Sequence, residues 1–101
     1  MREHIKDMVT EFPSSIKIAA SFDPELAREW ADAIGEEFHA KGANVVLGPG
    51  LNVNRIPRNG RNFEYLSGED PFLGYTLAKP IVEAIQSHKL IATAKHFIGN
   101  S

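Results

Sequence analysis

Six side chains in the second half of the chain have types and spacings that can do chemistry: Arg61, Glu64, Glu69, Asp70, Lys95 and His96. Arg61 is a permanent planar cation with a fork of N–H donors. On a loop it can bridge two sugar hydroxyls or pair with a carboxylate, Glu64 or Glu69. Lys95 and His96 directly follow an apolar run, Leu90 to Ala94. Their alternatives are a pair of functional donors at the mouth of a strand, or a lysine reaching solvent beside a histidine that caps a helix or loop. Glu64, Glu69 and Asp70 invite a reading as paired carboxylates. Asp70, however, precedes Pro71 as a helix N-cap should, and Glu69 favours the same helix N-terminus. Glu64 is placed to orient Arg61 or Lys95 through charge-assisted hydrogen bonds. No catalytic role is assigned to any of the three.

Other chemistries find less support. His4, His39 and His88 fall in helical or helix-end contexts without metal-ligand spacing, so each reads as a surface histidine and neither metal nor cofactor is called for. Gly48-Pro49-Gly50 lacks the Lys-Ser/Thr ending of a phosphate loop and does not open a helix. With no cysteine in 101 residues, thiol chemistry and disulfides are excluded. Thirteen acidic and 11 basic residues are spread along the chain, giving a net charge of −2 and no basic stripe for nucleic acid. No apolar run approaches the roughly 20 residues of a membrane helix. Met1 to Asp7 lacks the apolar core of a secretory signal, and none of this fixes a compartment.

The elements that must position these groups follow from periodicity and punctuation. Ile5, Met8, Val9 and Phe12 at helical spacing predict an amphipathic helix over 1–12, ended by Pro13. Ile16 to Ala20 reads as a short strand. Asp23-Pro24 announces a helix near 24–41, with Leu26, Trp30, Ile34 and Phe38 on one stripe and Gly42 as its stop. Asn44 to Leu47 reads as a buried strand. After a polar loop over 51–69, Asp70-Pro71 starts a second helix near 71–87, striped by Leu73, Leu77, Ile81 and Ile85. Pro80 should kink or split it. Residues 90–94 form a third strand. The order predicts α/β architecture: βαβ units on a parallel sheet, with chemistry after the C-terminal ends of strands.

Pro57 through Pro71 (Pro-Arg-Asn-Gly-Arg-Asn-Phe-Glu-Tyr-Leu-Ser-Gly-Glu-Asp-Pro) stands between two further motifs, Gly48-Pro49-Gly50-Leu51-Asn52 upstream and Ala94-Lys95-His96-Phe97-Ile98-Gly99-Asn100 downstream. With Phe12-Pro13-Ser14-Ser15 and Ala20 through Leu26, this pattern resembles the N-terminal barrel domain of family 3 glycoside hydrolases, the β-glucosidase type, from about Phe12 to Asn100. The resemblance implies a partial TIM-type (β/α)8 barrel spanning residues 1–101, with 1–11 as an atypical helical start. It implies that Arg61, Lys95 and His96 bind hydroxyls of glucose or a β-glucoside in the cleavage subsite, with Glu64 in support.

The same resemblance sets expectations that these residues do not meet. The family pattern has an Asp-Gly-Pro type strand before Phe12 and an aspartate nucleophile in a Ser-Asp-Trp type motif after Asn100, with the acid/base later still. Retaining glycosidases need two carboxyl groups about 5–5.5 Å apart, and a complete barrel takes about 250 residues. The expectation is part of a retaining β-glucosidase that holds sugar-binding groups but neither nucleophile nor acid/base. The alternative is a non-catalytic half-barrel that self-associates or binds sugar weakly. Either way, the open sheet edges of a partial barrel call for a homo-oligomer or the remainder of the barrel.

Overall fold

In both long helices the start is set by an Asp-Pro pair. The computed structural model describes residues 9–100. Asp23 accepts from the backbone N–H groups of Glu25 (2.9 Å) and Leu26 (3.3 Å), and Asp70 accepts from that of Phe72 at 2.9 Å. Each caps free donors, while the following proline sits where no donor is needed. The helices they open are two of the three α-helices among the described residues. Helix α1 covers Ser15–Ala19, α2 covers Pro24–Ala40 and α3 covers Pro71–Ser87. At the far end of α2, Gly42 takes a φ of 84°, the left-handed conformation that a glycine adopts at little cost.

Two strands lie side by side: β1 (Val45–Val46) and β2 (Ile91–Ala92) are parallel, in the register Val45 to Ile91 and Val46 to Ala92. They sit inside the expected strands 44–47 and 90–94, with α3 as the crossover between them. A short 3-10 turn, Asn62–Glu64, interrupts the long loop. Trp30, Ile34 and Phe38 of α2 and Leu77, Ile81 and Ile85 of α3 share one core with Val46, Leu66 and Leu90. The two helices also meet outside the core. Arg28 pairs with Glu83 at 3.1 Å, and His88 Nε2 lies 2.7 Å from Asp32 Oδ1. His88 is therefore a partly buried link between helices and not the plain surface histidine its position suggests.

Two expectations need correction. Residues 16–20 are not a strand: the chain there forms α1, begun by N–H groups of Lys17 and Ile18 donating to Ser14 O at 3.1 and 3.2 Å. Consecutive Ile18 and Ala19 are both buried, where a half-buried strand would alternate. Pro80 does not split α3, which runs unbroken from Pro71 to Ser87. Leu77 and Ile81, fully buried on either side of it, hold both halves to the core. Most of the helix expected over 1–12 lies outside the described residues, and residues 9–12 have no regular secondary structure.

No helix among the described residues is long and apolar enough to cross a membrane.

Candidate functional site

The site is built on the segment that follows β1. Gly50 forms parallel bridges to Tyr65 on one side and to Lys95 on the other. The Lys95 N–H donates to Pro49 O at 3.0 Å, and the Leu51 N–H donates to Lys95 O at 2.7 Å. On the opposite flank the Leu66 N–H donates to Gly50 O at 3.0 Å. Residues 49–52 thus act as a spine that joins the loop carrying Arg61 and Glu64 to the segment carrying Lys95 and His96. The spine requires a glycine. A Cβ on residue 50 would stand 2.8 Å from Tyr65 Cδ1 and 3.1 Å from Glu64 O.

Arg61 precedes the 3-10 turn and Glu64 ends it, which sets their side chains against each other. Arg61 Nε donates to Glu64 Oε1 at 2.8 Å and Arg61 Nη2 donates to Oε2 at 2.9 Å, a two-pronged pair. Lys95 Nζ stands 3.8 Å from the same Oε2. Glu64 is therefore the common counter-ion of both cations. The hydrogen bonds from Arg61, with lesser help from the charges of Arg61 and Lys95, hold its carboxyl below the ordinary carboxylate range against the opposing effect of burial. The same pairing raises Arg61 above its ordinary value. A carboxylate so held is an orienting anion and a poor proton donor. The guanidinium keeps N–H groups that Glu64 does not use, and its side chain is half exposed.

Lys95 and His96 are neighbours whose side chains go to different partners. The His96 ring meets the Tyr65 ring edge to face, with centroids 5.8 Å apart and planes at 84°. Tyr65 is itself buried, and its hydroxyl accepts from Asn100 Nδ2 at 2.6 Å. The His96 backbone N–H donates to Asn52 Oδ1 at 2.5 Å, while its ring Nε2 is buried without a protein partner. A cavity of about 440 Å³ opens beside this cluster, bordered by Phe63, Glu64, Lys95, Pro49, Trp30 and Phe38. Arg61 and His96 do not border it.

The residues expected from sequence thus gather around two centres, Glu64 for Arg61 and Lys95, and Tyr65 for His96. Asp70 is engaged as a helix cap. Among the described residues, no group of three or more His, Asp or Glu side chains could hold a metal ion. Sequence reasoning missed Gly50, Asn52, Tyr65 and Asn100. The only signal for Gly50 and Asn52 was their place in the Gly-Pro-Gly-Leu-Asn run, and Tyr65 and Asn100 offered none beyond their own motifs.

In sequence and in fold the chain is similar to known proteins. The family model described as the glycosyl hydrolase family 3 N-terminal domain matches residues 1–101. β-Glucosidase BoGH3A of Bacteroides ovatus is 44% identical over 95 residues, which is 94% of this chain and 13% of that protein. Thermostable β-glucosidase B of Acetivibrio thermocellus is 45% identical over 92 residues, 91% of this chain and 12% of that one. The structure of β-glucosidase 3B from Thermotoga neapolitana in complex with glucose superposes with a TM-score of 0.85 at 40% identity, over 99% of this chain and 14% of that chain.

This chain belongs to glycoside hydrolase family 3. It spans a small part, 12–13%, of the length of these two relatives.

Proposed function

We propose that these residues form part of the sugar subsite of a retaining β-glucosidase-type hydrolase acting on β-glucosides or related oligosaccharides, and that their βαβ arrangement is a segment of a (β/α)8 barrel. Arg61, Lys95 and His96 donate to hydroxyls of a glucose unit, and Glu64 orients the two cations. The observation that carries this reading is the double engagement of Glu64 by Arg61 and Lys95 at 2.8 and 3.8 Å. Two hydrogen bonds fix the guanidinium and the same carboxylate draws the ammonium toward it, so less rotamer freedom is lost when a sugar binds. The β-glucosidase names of the relatives, and the glucose complex of the Thermotoga neapolitana enzyme, support the choice of sugar.

Retaining hydrolysis needs a nucleophile and an acid/base, two carboxyl groups about 5–5.5 Å apart. Glu64 is committed to its cations and Asp70 to its helix. On this reading both catalytic groups belong to parts of the enzyme other than these 101 residues.

NMR titration of the chain with glucose tests the sugar site. The expected result is weak binding, on the order of millimolar, with shifts centred on Arg61, Lys95 and His96 and lost in Arg61→Ala. Shifts that cluster elsewhere, or that survive Arg61→Ala unchanged, would overturn the assignment.

A further inference from the structure

The backbone at Lys95 is held by ordinary strand-like bonds to Pro49 and Leu51, but the next residue is held differently. The His96 N–H finds its acceptor in a side chain, Asn52 Oδ1, 44 residues away in sequence and 2.5 Å away in space. The neighbouring backbone carbonyl, Leu51 O, is already taken by Ser67 Oγ at 2.8 Å. Beyond the backbone, the His96 ring is backed by the edge-to-face contact with Tyr65, whose hydroxyl is bonded to Asn100. The buried ring Nε2 is left with no protein partner. The backbone bond and the ring contact are thus the two interactions that fix this histidine, and its Nε2 keeps its hydrogen-bonding capacity unspent.

We propose that Asn52 is a positioning residue for His96: by accepting the His96 N–H it sets the direction in which the imidazole leaves the backbone, and Tyr65 then fixes the plane of the ring. The assignment rests on reading His96 as a hydroxyl-binding group. An amide oxygen accepts from a backbone N–H at this place, and a carboxylate oxygen of the same reach does so too. A leucine of similar size has no acceptor and leaves the His96 N–H without its partner.

The test compares Asn52→Leu, which deletes the acceptor, with Asn52→Asp, which keeps it. Two readouts are used on the full chain: the ring signals of His96 in long-range ¹⁵N–¹H spectra without sugar, and glucose affinity by titration. Asn52→Leu is expected to move the His96 ring signals and to weaken glucose binding about threefold to tenfold. Asn52→Asp is expected to stay within about twofold of the parent on binding, with its ring signals close to the parent positions. Unmoved ring signals in Asn52→Leu, or an Asp variant as impaired as the Leu variant, would overturn the proposal. If the parent chain shows no saturable response to glucose, the sugar-site reading fails by itself, and the ring signals without sugar still decide the role of Asn52. Should Asn52→Leu fail to fold, Asn52→Ser, whose hydroxyl is too short to reach, takes its place. Failure of both to fold while Asn52→Asp folds would make the bond a stability element only and overturn positioning.

Discussion

Arg61 and Glu64 face each other across one 3-10 turn and close a two-pronged ion pair, with both Glu64 oxygens accepting from the guanidinium at 2.8 and 2.9 Å. Of the two sequence readings of Arg61, pairing with a carboxylate and bridging sugar hydroxyls, the structure realises the first. The second is not thereby displaced, because Glu64 occupies only part of the arginine's donor fork.

The pair makes a prediction about acid. Glu64 is held below the carboxylate range in the folded chain, first by the hydrogen bonds from Arg61. A carboxyl with a depressed folded value contributes stability that is complete above its unfolded value, about 4.3 for a glutamate, and is lost as pH falls through the folded value. Glu64→Gln removes that dependence. Urea midpoints measured from neutral pH down to about pH 3 should therefore show the parent more stable than the variant near neutrality and the gap closing below about pH 4. A gap that is constant with pH would show that the carboxylate is not linked to folding.

How much of this arrangement was legible in the sequence depended on how local its cause was. The Asp-Pro starts of α2 and α3 are set by neighbouring residues, and both helices lie within one residue of their expected spans. Glu64 is three residues from Arg61, so their pairing could be read directly. Ile16 to Ala20 failed because five residues cannot separate a period of two from a helical turn, and it was the burial of adjacent Ile18 and Ala19 that decided. The supports of His96 were invisible for a different reason. Asn52 comes to it across 44 residues and Asn100 comes to Tyr65 across 35, and no local pattern records such meetings.

The close approach at Gly50 predicts a sharp contrast between two glycines. Gly50→Ala would place a methyl group 2.8 Å from the buried Tyr65 ring and 3.1 Å from the Glu64 carbonyl, on a segment bridged on both sides. Overpacking of this kind costs about 1–3 kcal/mol. Gly60 has nothing within 4 Å of the same added atom, so Gly60→Ala should be close to neutral. Chemical denaturation of the two variants gives the comparison. Equal midpoints would mean that Tyr65 yields without cost.

Catalysis provides a third expectation. On the proposed reading, with both catalytic carboxyl groups in other parts of the enzyme, the 101 residues prepared alone should not turn over an aryl β-glucoside, because donors without a nucleophile cannot form the covalent intermediate of the retaining route. Hydrolysis that survives rigorous removal of host enzymes would contradict this. It would be traced by Glu64→Gln, Glu69→Gln and Asp70→Asn.

The last prediction concerns association. β1 and β2 make a two-stranded parallel sheet whose helix-facing side buries Val46, while Val45 and Ile91, paired in register on the other side, are 42% and 62% exposed. Leu47 extends that face at 61% exposure. A sheet face of this composition is normally covered, because apolar side chains that line up across a ladder offer a ready surface for packing. The outer edges of the pair also carry backbone donors and acceptors that invite further strands, and neither strand contains the proline or inward charge that blunts an edge. The 101 residues on their own are therefore expected to form a homo-oligomer in which these faces or edges meet. Sedimentation equilibrium at micromolar concentration should give a mass above that of one chain, and Ile91→Lys should move it toward the monomer by placing a charge at the centre of the exposed face. A monomer mass with cooperative unfolding in the parent would show that this face tolerates water, and self-association would then be excluded as the way it is covered.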